Sequence, residues 1–504
     1  MSRLTLAQKA AGLIMIDVPG TEITEKTAEY MKKNAWAGVI LFAKNVADRL
    51  QTQKFINDLH SNSQAPLLMA VDQEGGIVER FRFPEMSLSP GLMALGHAND
   101  LELTYKVHEV MGLELKDIGI HIDFAPCIDV NNNPANPIIG VRSFGSDPNL
   151  VAEHGTAALR GLQAGGVAAC VKHFPGHGNT ALDSHLSLPS ISSTIDELRK
   201  TELPPFEAAI KAGVETIMTA HIIFPELDPE LPATLSKPIL TGILRKELGF
   251  NGIIVTDSLS MKAIADRWGF AEATVLSIEA GADLVLALGP VKNQLEALEG
   301  LIKAVEEGRI TEARLDESLT KLEALRQKYN NMPCKPSWNI AEHRQIMQKA
   351  ASNGIQIIKN ERNLLPISAG SSTKIAVVSP DLLPQSPLGE LSETKSLATE
   401  IAKFGILTED IRFNQSIGWP AIPEIARRAA ANDYVILALY ARAGLTDSQI
   451  ELAQEIYSRT DKVILLALAN PFITNSIPMA HTIITGFNYG ELTIEALAAK
   501  LLGK

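Results

Sequence analysis

Eight short apolar runs alternate with longer helical patterns over the first two-thirds of the chain, and this rhythm limits the folds open to it more than any other feature. The runs fall at 12–17, 38–42, 67–72, 121–130, 168–173, 216–221, 252–257 and 282–288. Between them, apolar residues recur at helical spacing over 47–59, 101–117, 148–162, 195–212 and 260–280. Strands that alternate with helices form parallel sheets covered on both faces. Eight such units predict a (β/α)8 barrel of the TIM type, with a doubly wound open sheet as the alternative.

The polar residues give that frame a direction. Asp72, Asp129, Lys172, His173, His221 and Asp257 each stand at or just past the C-terminal end of a predicted strand. Barrels place their active sites at that edge, and open parallel sheets gather ligands there too. The densest stretch is 170–189, CVKHFPGHGNTALDSHLSLP. Its glycines and proline force a turn straight after Lys172 and His173, and Asp183 follows two residues before His185. A carboxylate so close to an imidazole can orient and polarise it, which is what a tuned general acid/base needs. An anion-binding turn is the non-catalytic reading of the same residues.

Three further stretches carry weaker signals. In 252–261, GIIVTDSLSM, Asp257 closes an apolar run ahead of a helix start, so it reads either as a helix cap or as a nucleophile facing the 172–185 loop. In VDQEGGIVERFR, Asp72 precedes a double glycine and Arg80 follows. In IGVRSFG, Arg142 sits in a glycine-flanked turn, where a structural ion pair is an equal reading.

Two further helices are predicted at 291–307 and 311–328, followed by a Pro- and Asn-rich stretch at 329–339. Beyond it a helix at 341–354 and strands at 355–359, 374–379, 433–440, 462–468 and 482–487 predict a smaller α/β (αβα) sandwich. The expected division is a catalytic barrel at 1–330, a linker at 331–340 and the sandwich at 341–504. A chain of 504 residues exceeds what one core usually supports, which agrees with two domains. The strand ends of the second module carry no comparable crowd of ionisable groups, so a supporting role is expected of it.

Composition excludes several classes. A net charge of −12 with no Lys/Arg run argues against nucleic acid as partner. The three cysteines, Cys127, Cys170 and Cys334, have no CxxC spacing and fit a reduced compartment. No apolar run reaches the roughly 18 residues a membrane span needs. The N-terminus does not read as a signal peptide, so a cytoplasmic location is expected, and an exported form would follow only if a leader had been removed. A monomer and a homodimer are both compatible with these features.

Taken in order, VDQEGG, GVRSFG, KHFPGHGNTALDSH and VTDSLSM resemble the family 3 glycoside hydrolases, specifically their β-N-acetylglucosaminidase branch. NERNLLPI at 360–367 is similar to the opening of the second domain in many members. The resemblance implies that Asp257 is the nucleophile and His185 the acid/base, held by Asp183. It implies that Asp72, Arg80, Arg142, Lys172 and His173 bind the sugar, and it places Met261 with them. Ile77 departs from the pattern, since many members carry Arg after the double glycine. The implied reaction is retaining removal of terminal N-acetylglucosamine from muropeptides or chitin-type oligosaccharides, without metal or organic cofactor.

Because a histidine repels an incoming anion less than a carboxylate does, a phosphorylase of the same family is the alternative. Two other classes also compete. One is a sugar-binding protein without turnover. The other is a metal-dependent amidohydrolase built on His173, His177, His221 and Asp257, which the missing HxH pair near the first strand and the adjacent Lys172 oppose.

Overall fold

The structure is a computed structural model describing residues 4–180, 188–332, 339–370, 372–381, 395–414, 417–441 and 444–504. Six parallel strands come first: β1 (Ile14–Ile16), β2 (Gly38–Leu41), β3 (Leu68–Val71), β4 (Ile122–Asp123), β5 (Ala168–Phe174) and β6 (Thr216–Thr219). A small antiparallel hairpin, β7 (Ile223–Phe224) with β8 (Asp228–Pro232), interrupts the series before β9 (Ile253–Val255) and β10 (Val285–Leu286). The sheet runs β10-β1-β2-β3-β4-β5-β6-β9. Its ends meet: Val255 bridges Leu284, and the amides of Asp283 and Leu284 donate to the Ile254 carbonyl at 2.7 and 3.1 Å. The expected (β/α)8 barrel is therefore formed, and all eight sequence runs supply its strands.

Side chains alternate across the strands as a closed sheet requires. Met15, Ile40, Leu68, Ala70 and Met218 fill the interior, while Ile14, Ile16, Val39, Leu41, Met69 and Val71 face the helices. The seam between β9 and β10 is held by Asp283, whose side chain is fully buried. Its carboxylate accepts from the Ile254 amide at 3.1 Å and from Ser318 Oγ at 2.7 Å. Arg245, Arg314 and Lys321 surround it as counter-ions. The helix Glu312–Asn330 then closes the N-terminal end of the barrel, with Tyr329 packed in the interior core and its hydroxyl donating to Glu215 at 2.6 Å. The Pro- and Asn-rich stretch that starts at residue 329 thus begins inside the barrel floor.

Two helical expectations need correcting. The 195–212 pattern is two helices, Ile195–Lys200 and Leu203–Lys211, because Pro204 and Pro205 start a new one. The 260–280 pattern begins at Lys262 and breaks at Gly269, whose φ of 68° is left-handed.

The second module is a six-stranded sheet of β11 (Gln356–Asn360), β12 (Lys374–Asp381), β13 (Leu407–Asn414), β14 (Tyr434–Ala441), β15 (Val463–Ala469) and β16 (Thr482–Thr485). Its order is β11-β16-β15-β14-β12-β13, with only β11 antiparallel to its neighbour among the described pairs. Both faces are apolar. Val378, Val435, Leu437 and Leu465 serve one core, while Ile375, Val377, Ile436 and Leu466 join the core that also wraps the barrel.

The helix Ile340–Asn353 docks on Leu92–Ala98 and Leu101–Ile118 of the barrel. There the buried His343 donates from Nδ1 to Glu114 at 2.8 Å, and the other Glu114 oxygen accepts the Ser87 amide at 2.9 Å. No helix among the described residues is long and apolar enough to cross a membrane.

Candidate active site

The C-terminal mouth of the barrel holds a cavity of about 460 Å³. Asp72, Arg80, Arg142, Lys172, His173, Asp257 and Met261 all line it. Every substrate-binding residue expected from the sequence is therefore brought to one space, together with Asp257. Asp183 and His185 lie outside the described residues.

The turn after β3 needs its double glycine. Gly75 and Gly76 have φ of 90° and 65°, and a Cβ on Gly75 would sit 2.8 Å from that of Ser89. The chain can thus fold back, and Gln73 Oε1 fixes the returning strand by accepting the amides of Arg80 and Phe81 at 2.8 and 3.1 Å. Ile77 packs into the apolar core and lines a small void with Ala469 and Asn470 of the second module.

Glu74, which the sequence reading passed over, lies at the electrostatic centre. It takes Arg142 in a bidentate pair at 2.7 and 2.8 Å and Lys172 at 2.6 Å. Lys172 also reaches Asp72 at 2.7 Å. Burial alone would push the Glu74 carboxyl up, but Arg142 and Lys172 outweigh it and hold it well below the usual carboxylate range. Burial opposes the charge on Lys172 too, and Asp72 and Glu74 more than offset that, so the ammonium is held charged. Two cations and two carboxylates then form one neutral, rigid cluster. Arg142 is thus both a buried ion-pair partner and a wall of the cavity.

Asp129 organises the other side. It accepts His173 Nδ1 at 2.7 Å and the amides of His173 and His177 at 3.1 and 2.7 Å. Burial would raise its carboxyl, yet the two histidines and these bonds bring it down to about 2. The His173 ring is turned by this bond so that Nε2 faces Arg142 at 3.5 Å. Burial lowers His177 to about 4, so its ring is neutral near pH 7. The PGHG turn depends on close approach: a Cβ on Gly178 would fall 1.7 Å from the Val130 carbonyl. Asn136 Nδ2 holds the carbonyls of His177 and Gly178, each at 2.9 Å.

Asp257 follows β9, and its Oδ1 accepts the Ser258 amide at 2.7 Å. His221 supports that turn from β6. Its Nε2 donates to the Ser258 carbonyl at 3.0 Å, and its Nδ1 lies 2.8 Å from Thr234 Oγ1. His221 is therefore a brace for the Asp257 loop.

The described residues do not gather His173, His177, His221 and Asp257 as a donor set. The group with three metal-type donor atoms mutually within 4.8 Å is Cys127, Asp129 and His173. There Asp129 is already engaged by His173 and two amides, and burial pushes the Cys127 thiol well up.

A cavity ringed by charged side chains at the C-terminal mouth of a closed parallel barrel defines the molecule as a (β/α)8-barrel enzyme. Residues 5–325 match the glycosyl hydrolase family 3 N terminal domain. A solved family 3 β-N-acetylglucosaminidase from Paenibacillus sp. str. FPU-7 is 34% identical with a TM-score of 0.93, over 99% of this chain and 97% of that one. The chain belongs to glycoside hydrolase family 3.

Beta-hexosaminidase A of Pseudoalteromonas piscicida is 34% identical over 398 residues, which cover 72% of this chain and 65% of that protein. The β-glucoside phosphorylase BglX is 25% identical with a TM-score of 0.83, over 99% of this chain and 92% of that one.

Proposed function

We propose that the chain is a retaining, exo-acting β-N-acetylglucosaminidase acting on cell-wall-derived muropeptides or chitin-type oligosaccharides. The observation that carries this reading is the convergence of Asp257 with Asp72, Arg142, Lys172 and His173 on one cavity, in a family whose relatives include β-hexosaminidases. A cavity of about 460 Å³ fits one end of a glycan better than the middle of a long chain.

In the first step an Asp257 carboxylate oxygen attacks the anomeric carbon, and the bond from that carbon to the leaving oxygen breaks. Protonated His185, oriented by Asp183, gives its proton to that oxygen. In the second step neutral His185 takes a proton from water. The resulting nucleophile displaces Asp257 from the sugar and restores its carboxylate. Asp72 accepts from sugar hydroxyls, Arg80, Arg142 and Lys172 donate to them, His173 binds them through Nε2, and Met261 covers an apolar face. In this reading the barrel, 1–330, carries the chemistry, and the second module, 341–504, supports it.

The test is release of nitrophenol from the β-N-acetylglucosaminide and the β-glucoside, with and without phosphate, by wild type and His185→Ala. A strong preference for the N-acetyl sugar, free sugar as product and a fall of about 10²–10⁴-fold in His185→Ala are expected. The phosphorylase reading is kept because a phosphorylase shares the fold. Sugar phosphate as the main product would put it in place of hydrolysis.

Glu74 gives a second check. Glu74→Gln removes one charge from the Arg142–Lys172 cluster and frees both cations to shift. Affinity for the sugar is expected to fall roughly 10- to 100-fold, the scale of a lost charged hydrogen bond. Measured KM values, with the thermal midpoint as control for folding, decide it; an unchanged KM counts against the cluster as a sugar clamp.

A further inference from the structure

A second cavity, of about 620 Å³, opens between the barrel and the second module. From the barrel it takes Met93, His97, Asn131, Phe144 and Asp147; from the other side, Gln356, Ile358, Phe472, Asn475 and Phe487. Nothing in the reaction described above uses it. Its chemistry is nonetheless selective.

Asn131 is 2% exposed, and its Oδ1 has no hydrogen-bond partner among the described residues. That oxygen is itself closed to solvent, so Asn131 counts only as a polar part of the wall. Among the described residues the lining contains no Lys or Arg to balance an anion, while Asp147 favours a donor. Three phenylalanines, His97 and several amides remain. Apolar ring surface beside amide and carboxylate groups matches a molecule with apolar C–H faces edged by hydroxyls. We propose that this cavity is a second binding site, for a neutral sugar.

The ligand class follows from the lining and does not depend on which reaction the first cavity performs. The two spaces do share a wall. Ile138 and Arg142 border the first, and Phe144 to Asp147 border the second. The strip between them is tied to Asp129 by Ser143 Oγ, which donates to the Asp129 carbonyl at 2.6 Å, and to Asn131, whose amide donates to Gly145 at 2.9 Å. A sugar held in the second cavity would therefore touch the segment that positions Arg142.

Calorimetric titration of full-length Asp257→Asn protein with N-acetylglucosamine, its β-1,4 trisaccharide and maltotriose tests the proposal without turnover. Two binding events are expected for the trisaccharide. Added Ile358→Trp, which fills the space, or Phe472→Ala, which removes a ring, should weaken one event at least tenfold and leave the other.

In an Asp257 background both substitutions should leave nitrophenyl-sugar turnover within twofold. Binding of maltotriose at the same event would mark a general glycan site. Binding of only the N-acetylated sugars would mark one for the substrate's own units. A single event in the parent, two events retained in both variants, or equal binding of glucose 6-phosphate at the second event would overturn the proposal. An inactive wild type that still shows two events would sink the proposed reaction and keep this site.

Discussion

Asp257→Asn is expected to lower kcat by on the order of 10⁴-fold or more while leaving sugar binding largely in place, the pattern seen when a covalent nucleophile is removed. The side chain lines the cavity at the end of β9, and its loop is fixed from behind by His221. Asparagine keeps the shape, and its oxygen can still accept the Ser258 amide. It lacks the charge and basicity to attack an anomeric carbon, so only the transition state suffers.

A second variant makes the assignment sharper. Asp257→Gly opens space on the face where the carboxylate stood, and azide should enter it, restore part of the turnover and give the α-glycosyl azide from a β-substrate. Retention of more than about a tenth of kcat by Asp257→Asn, or a β-azide from the glycine variant, would remove Asp257 from the nucleophile role.

The largest expected effect on stability is at Asp283, far from the chemistry. Asp283→Asn leaves Arg245, Arg314 and Lys321 facing a neutral amide in a buried seam, and breaking a buried ion-pair network costs about 3–5 kcal/mol. Denaturant melts of wild type and variant measure it, and a loss below about 1 kcal/mol would show that the seam does not need the charge.

The pH dependence carries a definite sign. Burial would raise this carboxyl, but the three cations pull it below its ordinary value. A depressed folded pKa stabilises the fold fully above the unfolded value of about 3.9, and that contribution is lost as pH falls through the lower folded value. Wild type should therefore lose its advantage over Asp283→Asn only in strong acid. The gap between the two should be flat from neutral pH down to about pH 5.

How much of this was legible in the residues depended on how local each signal was. The eight barrel strands were readable because each is buried on both faces and so appears as an apolar run. Strand β13, LTEDIRFN, was missed because it lies at the sheet edge, where half its side chains face water. Helix Glu25–Lys33 was missed because only Thr27 and Met31 on it are buried.

The site divides in the same way. Strand-end charges such as Asp72, Lys172 and Asp257 could be placed because the barrel sends all strand ends to one rim. Glu74 could not, since its importance arises from Arg142 and Lys172 arriving from two other segments. Asp283 reads in sequence as one more acid between Ala282 and Leu284, and only ring closure reveals its three cationic partners.

The joint between the two halves bears on how such a molecule could be re-engineered or could evolve. One apolar core runs from the barrel helices into the second sheet, Gly354 lies so near Ala94 that a Cβ there would be 2.7 Å from its methyl, and Glu114 spans the boundary from Ser87 to His343. The second module is accordingly not an interchangeable cartridge. A chimera that joined this barrel to a foreign partner would have to bring an imidazole to Glu114 and a small residue to Ala94, or else leave a carboxylate stranded beneath the very loop that carries Arg80.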